Sequence, residues 1–140
     1  MKSSILFFLI LLSQPSFSQD LIGKWTGKYS YDRITHEVGI ALRIELNPDS
    51  SLNIHSYTLV ENADQQPSAL LCRVAVLKNR NNVLELLETD STGSDASGLQ
   101  RMYLKYIKKG DVERLEGNWD AGGSGPFSGG SIFFVKLKEL

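Results

Sequence analysis

The chain has 140 residues, and its first 18 read as a removable leader, which leaves a piece near the usual size of one domain. Apolar residues make up 41% of it, enough for one modest core and too many for a disordered tail. Lys and Arg number 15 against 16 Asp and Glu, a net charge of −1 that denies nucleic acid and anionic lipid any strong global attraction.

Met1 to Ser4 is a short positive segment, Ile5 to Leu12 an unbroken apolar run, and Ser16-Phe17-Ser18 a small-x-small site ahead of Gln19. Those parts in that order are a secretory signal, with cleavage expected after Ser18 and a single domain over residues 19–140. The apolar run is too short to span a membrane, and Pro15 soon follows it. Gln19, not a cysteine, stands immediately after the cleavage site, which points to a soluble exported protein rather than a lipid-anchored one. Cys72 is the sole cysteine, so an intramolecular disulfide is impossible; within Leu70-Leu71-Cys72-Arg73-Val74 it reads as a small buried apolar residue. No Asn-x-Ser/Thr sequon follows the leader, which fits a bacterial periplasmic or extracellular location.

Beyond the leader the period is two. The first strand is expected from Gly23 to Tyr31. From Thr35 to Leu46 the even positions His36, Val38, Ile40, Leu42, Ile44 and Leu46 share one face, while Glu37, Arg43 and Glu45 lie on the other. Asn47-Pro48-Asp49-Ser50 combines four turn formers, so Ser51 to Val60 should return antiparallel. Leu70 to Leu77 and Val83 to Thr89 flank Lys78 to Asn82, and Leu99 to Ile107 and Asp111 to Trp119 flank Lys108-Lys109-Gly110, two further hairpins. Ser131 to Lys138 is the eighth strand. Asn82-Val83-Leu84-Glu85 has the form of a helix capping box, but seven residues make a poor helix. Glu61 to Ala69, Asp90 to Gly98 and Ala121 to Gly130 are expected as longer loops. Short connections and the lack of a helical stripe predict an all-β fold, an eight-stranded antiparallel up-and-down barrel in which pairing the first strand with the last removes both open edges. A barrel of eight strands is either filled by its side chains or holds one small ligand.

Leu21-Ile22-Gly23-Lys24-Trp25 and Leu115-Glu116-Gly117-Asn118-Trp119 share the form Leu-x-Gly-x-Trp. In each, leucine, glycine and tryptophan fall on one strand face, so the glycine leaves space beside the indole, an arrangement suited to plugging the closed end of a barrel. The first copy resembles the Gly-x-Trp signature of the lipocalin and avidin groups of calycins, a likeness that would extend over the whole chain beyond the leader. The resemblance implies a barrel able to hold a small, largely apolar molecule, with a basic residue late in the chain, Lys136 or Arg114, packed on Trp25. Thr89-Asp90 is followed by Ser91 where many lipocalins have Thr-Asp-Tyr, and Gly27 stands where avidins carry a biotin-binding polar residue, so biotin binding is not implied.

The candidate ligand-binding residues are Trp25, Tyr29 and Tyr31, which share a face of the first strand, with Trp119, and Phe127 at the tip of a glycine-rich flap; ordinary core packing is the competing reading of the aromatics. The faces taken by Tyr57, Tyr103 and Tyr106 are left open by the sequence. The flap lacks the Lys-Ser or Lys-Thr ending of a phosphate cradle. His36 and His55 are the only histidines, and no serine sits in a strand-turn-helix elbow, so no catalytic, metal or cofactor site is expected. Glu85, Glu88, Asp90 and Asp95 lack calcium-loop spacing and read as a solvated rim, while Arg43, Arg73 and Arg101 are expected to face water. The function expected is non-catalytic binding of a small apolar or amphipathic ligand, with Trp25 and Trp119 closing the barrel. The alternatives are a filled barrel that binds another exported protein, for example as an inhibitor, and a barrel enzyme, which would require a titratable group among the inward side chains.

Overall fold

Alternation of inward apolar and outward polar side chains produces eight strands: β1 (Gly23–Ser30), β2 (Glu37–Leu46), β3 (Leu52–Glu61), β4 (Pro67–Arg80), β5 (Val83–Thr92), β6 (Arg101–Lys109), β7 (Val112–Asp120) and β8 (Gly129–Lys136). A single helical turn, α1 (Phe17–Leu21), precedes them. The computed structural model describes residues 17–61, 67–92, 100–122, 125 and 128–138. Each strand pairs antiparallel with the next, and β1 pairs back onto β8 from Trp25↔Lys136 to Tyr29↔Ile132, which closes the sheet into an up-and-down barrel. Among the described residues no helix is long and apolar enough to cross a membrane.

The inward face is the core. Trp25, Leu42, Ile44, Leu84, Leu86, Met102, Leu104, Leu115 and Phe134 are each at most 1% exposed, so the middle of the barrel is filled by side chains. Filling on this scale supplies about 1.5–3 kcal/mol for each large apolar side chain removed from water, the main term opposing chain entropy. The three arginines expected to face water stand on the outer wall, Arg43 and Arg73 exposed and Arg101 half-buried.

Several turns are tighter than their composition suggests. β4 continues through Lys78 to Arg80, and Asn81 and Asn82 alone reverse the chain with φ of +53° and +64°, the left-handed pair of a type I′ hairpin turn that asparagine tolerates. Gly110, with φ +59°, opens an equally short turn between Lys109 and Val112. At the β2–β3 turn Ser50 takes φ +72°, and Asp49 Oδ1 accepts the Ser51 N–H at 3.0 Å. β3 reaches Glu61, β4 already begins at Pro67 and β5 runs to Thr92, so the loops expected at 61–69 and 90–98 lose their flanks to strand. Polar residues there sit in a paired ladder, where backbone hydrogen bonding outweighs turn-like composition, and Pro67 is tolerated as the first residue of a strand. Residues 62–66 and 93–99 lie outside the described residues.

Two register shifts interrupt β4–β5. Arg73 pairs with Asp90 but Val74 with Glu88, which leaves Thr89 as an extra residue; Val76 pairs with Leu86 but Lys78 with Glu85, which leaves Leu77 as another. Such bulges bend a strand and re-aim the side chains beside them. Gly27 and Gly117 serve the curvature differently: a Cβ on Gly27 would run into the Phe133 carbonyl oxygen, and one on Gly117 into the Tyr103 carbonyl oxygen. The glycine of the second Leu-x-Gly-x-Trp copy therefore makes room for a neighbouring backbone rather than for its indole.

Candidate functional site

The two tryptophans expected to close the barrel together lie at opposite ends of it. Trp25 stands near the start of β1, level with Lys136, whereas Trp119 stands near the end of β7, opposite Gly130. Because successive strands run antiparallel, an early position on an odd strand and a late one fall at different ends of the cylinder.

At the Trp25 end the indole, the lysine and the carboxyl group answer one another, while Asn79, whose amide donates to the Ser18 hydroxyl at 3.0 Å beside α1, keeps an unmatched Oδ1. The indole Nε1 donates to the Leu21 carbonyl at 2.9 Å, so the turn α1 is fastened under the barrel. Lys136 Nζ lies 5.6 Å from the centre of the Trp25 ring, donates to the Asp20 carbonyl at 2.8 Å and sits 3.7 Å from Glu113 Oε2. Tyr106 turns inward, edge-on to Trp25 at 6.4 Å, and donates its hydroxyl to Glu113 Oε1 at 2.6 Å. Burial, and then the adjacent Glu113 carboxylate, raise the Tyr106 phenol well above its ordinary range. Of the two basic residues considered for Trp25, Lys136 takes the place; Arg114 lies over Phe133 at 5.1 Å, on the outer wall.

At the Trp119 end three candidate aromatics converge. Tyr29 and Tyr31 approach Trp119 with ring centres 5.0 and 5.3 Å away, and each other at 5.9 Å, all edge-to-face. The Trp119 Nε1 donates to the Ser30 carbonyl at 2.9 Å, which ties β7 to the end of β1. His36, exposed in the β1–β2 connection, stacks on Tyr31 at 5.9 Å. Trp25 does not join this group, and Phe127 lies outside the described residues.

Near Tyr29 lies a polar cluster that grouping the acids in sequence order does not reveal. Glu88 is not part of a solvated rim: it is 2% exposed, inside the barrel, among buried Ser56, Cys72 and Gln100. The Glu88 backbone N–H donates to the Gln100 carbonyl at 3.0 Å, which sets the two residues beside each other where β5 meets the start of β6. The Ser56 hydroxyl donates to Glu88 Oε2 at 3.1 Å. Burial pushes the Glu88 carboxyl above the usual carboxylate range, against the opposing pull of hydrogen bonds from Cys72, Ser56 and Gln100. Tyr29 is raised as well, first by burial, then by Tyr31 and by the nearby charge of Glu88. Glu88 Oε1 and Gln100 Oε1 have no hydrogen-bond partner. A signal that locates Glu88 is present in the sequence: it shares its strand face with Leu84 and Leu86, as Gln100 does with Met102 and Leu104. Cys72 is buried as expected, with the Glu88 carboxylate as its neighbour.

The remaining tyrosines take different faces. Tyr103 is exposed on the outer wall, and Tyr57, half-buried, pairs there with the Arg43 guanidinium. His55 sits opposite Arg43 across β2–β3, far along the strand from His36. Among the described residues no three His, Cys, Asp or Glu side chains gather where a metal ion would be held. The arrangement offers, at one end of the cylinder, buried hydrogen-bond acceptors together with aromatic surface. No protein-family model matches the chain, and comparison with curated proteins finds no significant match.

Proposed function

We propose that the protein is an exported, calycin-like barrel that binds one small amphipathic molecule at its Trp119 end and does no chemistry on it. The observation that carries this reading is the buried Glu88–Gln100 pair, with an unmatched oxygen on each residue, near Tyr29, whose ring meets Tyr31 and Trp119. An unpaired buried acceptor costs roughly 1–3 kcal/mol, and a fold retains such a cost most readily where a bound group offsets it. Export rests on the ordered charge, apolar run and small-x-small site of residues 1–18.

Because the two tryptophans sit at opposite ends, fluorescence locates the binding event. A panel of lipids, retinoid-like and haem-like compounds titrated into a Trp25→Phe variant, in which Trp119 is the sole tryptophan, is expected to shift its emission. The Trp119→Phe variant, reporting from Trp25, should stay unchanged. A flat response from both overturns the proposal.

The second reading, a filled barrel that binds another exported protein, is favoured by one observation. The barrel middle is packed solid, and depressions lie instead beside α1 and on the outer wall between β1, β2 and β3. A flat fluorescence response together with capture of a partner through outer-wall residues supports it.

A further inference from the structure

We infer that the molecule held at the Trp119 end carries a cationic N–H group, an ammonium or amidinium, placed between Glu88 and the rings of Tyr29, Tyr31 and Trp119. This deepens the binding proposed above and rests on it.

Three independent features point to that chemistry. The first is the polarity of the unmatched atoms. Glu88 Oε1 and Gln100 Oε1 are both acceptors, on residues 2% and 3% exposed, so the partner they call for is a donor. The second is charge. Glu113 at the other end has Lys136 beside it, but among the described residues the recorded neighbours of the Glu88 carboxyl are Ser56, Cys72, Gln100 and Tyr29, none of them cationic. Among the described residues, the nearest basic side chains by strand position, Arg73 and Arg101, stand on the outer wall, and Arg33 in the β1–β2 connection is exposed. Among the described residues nothing cationic stands beside an ionised Glu88, so a cation brought by a ligand would stabilise that form. The third is the aromatic group. The only donor of the Trp119 indole is already engaged by the Ser30 carbonyl, so that ring has only π surface left to offer, and π surface attracts cations.

The same features exclude a class. A fatty acid or another carboxylate brought to this end would meet two oxygens already lacking donors, one of them on Glu88, and would be repelled whenever Glu88 is ionised. The ligand is therefore an amine-type amphipath rather than an anionic lipid.

The test uses three probes of one shape: 2-phenylethylammonium, neutral 2-phenylethanol and anionic phenylacetate, titrated into the full-length protein by calorimetry at neutral pH. The ammonium is expected to bind at least tenfold more tightly than the alcohol, and phenylacetate to show no binding. Glu88→Gln keeps the shape and removes the charge, so it should bring the ammonium down to the affinity of the alcohol. Equal affinities for ammonium and alcohol in the unaltered protein, or tighter binding of phenylacetate, overturn the inference while leaving a ligand-binding barrel intact. Binding of none of the three overturns it together with the reading beneath it. If Glu88→Gln fails to fold, the ammonium-to-alcohol preference of the unaltered protein still decides.

Discussion

The two ends of the barrel are built from similar parts and finished in opposite ways. Each has a tryptophan whose Nε1 is fixed by a carbonyl, a tyrosine edge-on to that ring and an inward carboxyl group. At the Trp25 end Glu113 receives Tyr106 and lies beside Lys136, and α1 covers the indole. At the Trp119 end Glu88 is more deeply buried, has no cation among its described neighbours and retains an unmatched oxygen. The Trp25 end gives its carboxyl group a cation and covers its indole, although Asn79 Oδ1 is unmatched there; among the described residues the Trp119 end gives its carboxyl group no cation. The difference lies in the carboxyl groups: an inward carboxyl with a cation beside it closes the fold, and one without a cation is a candidate site.

Substitutions at the two ends should separate these roles. The largest effect is expected from Trp25→Ala, which empties the closed end: urea unfolding should show a loss of about 3–5 kcal/mol. A loss below about 1 kcal/mol would mean that Trp25 is not the plug. Glu113→Gln removes the charge beside Lys136 and should destabilise by about 1 kcal/mol, a modest figure because both side chains are about one-fifth exposed and water shares the screening.

Glu88→Gln sets the two ends apart most directly because its sign is opposite. The new amide supplies a donor and removes a charge held in a dry interior, so stability at neutral pH should rise by about 1 kcal/mol. The pH profile follows from the direction of the shift. A carboxyl held above its unfolded range binds more protons in the folded state across that window. The unaltered protein should therefore lose stability as pH rises from the ordinary carboxylate range through the folded value of Glu88, and regain none above it. In Glu88→Gln that slope should vanish; an identical slope in both proteins would show that Glu88 titrates normally. The smallest effect is reserved for Lys28→Ala, which breaks the exposed 3.4 Å pair with Glu37 and should leave the unfolding midpoint unchanged.

Much of the fold is legible in the order of residues. The alternation in Thr35 to Leu46 and in Val83 to Thr89 marks strands with one dry face, and Ile40, Leu42, Ile44, Leu84 and Leu86 are buried accordingly. Glu88 escapes such a reading when four acids are grouped along the chain rather than by face; on a strand the neighbours that matter are two residues away. The turn at Asn81-Asn82 is shorter than expected because five polar residues look like a loop, although the last two suffice when both take positive φ. The aromatic trio is half legible: Tyr29 and Tyr31 share a face by period, but nothing local to them announces Trp119.

The period of two can be read in any short stretch of chain, and with it come the strands, their inner and outer faces, the meander order and the large side chains of the core, because each depends on residues close together in the chain. Which inward residues share a level of the cylinder is a different matter, and it emerges only when the whole sheet closes. The contact from Trp119 Nε1 to the Ser30 carbonyl joins residues 89 positions apart, and the Glu88–Gln100 pairing depends on where β5 meets β6. Those placements follow from barrel closure, register and two bulges, which are properties of all eight strands together and of no single segment.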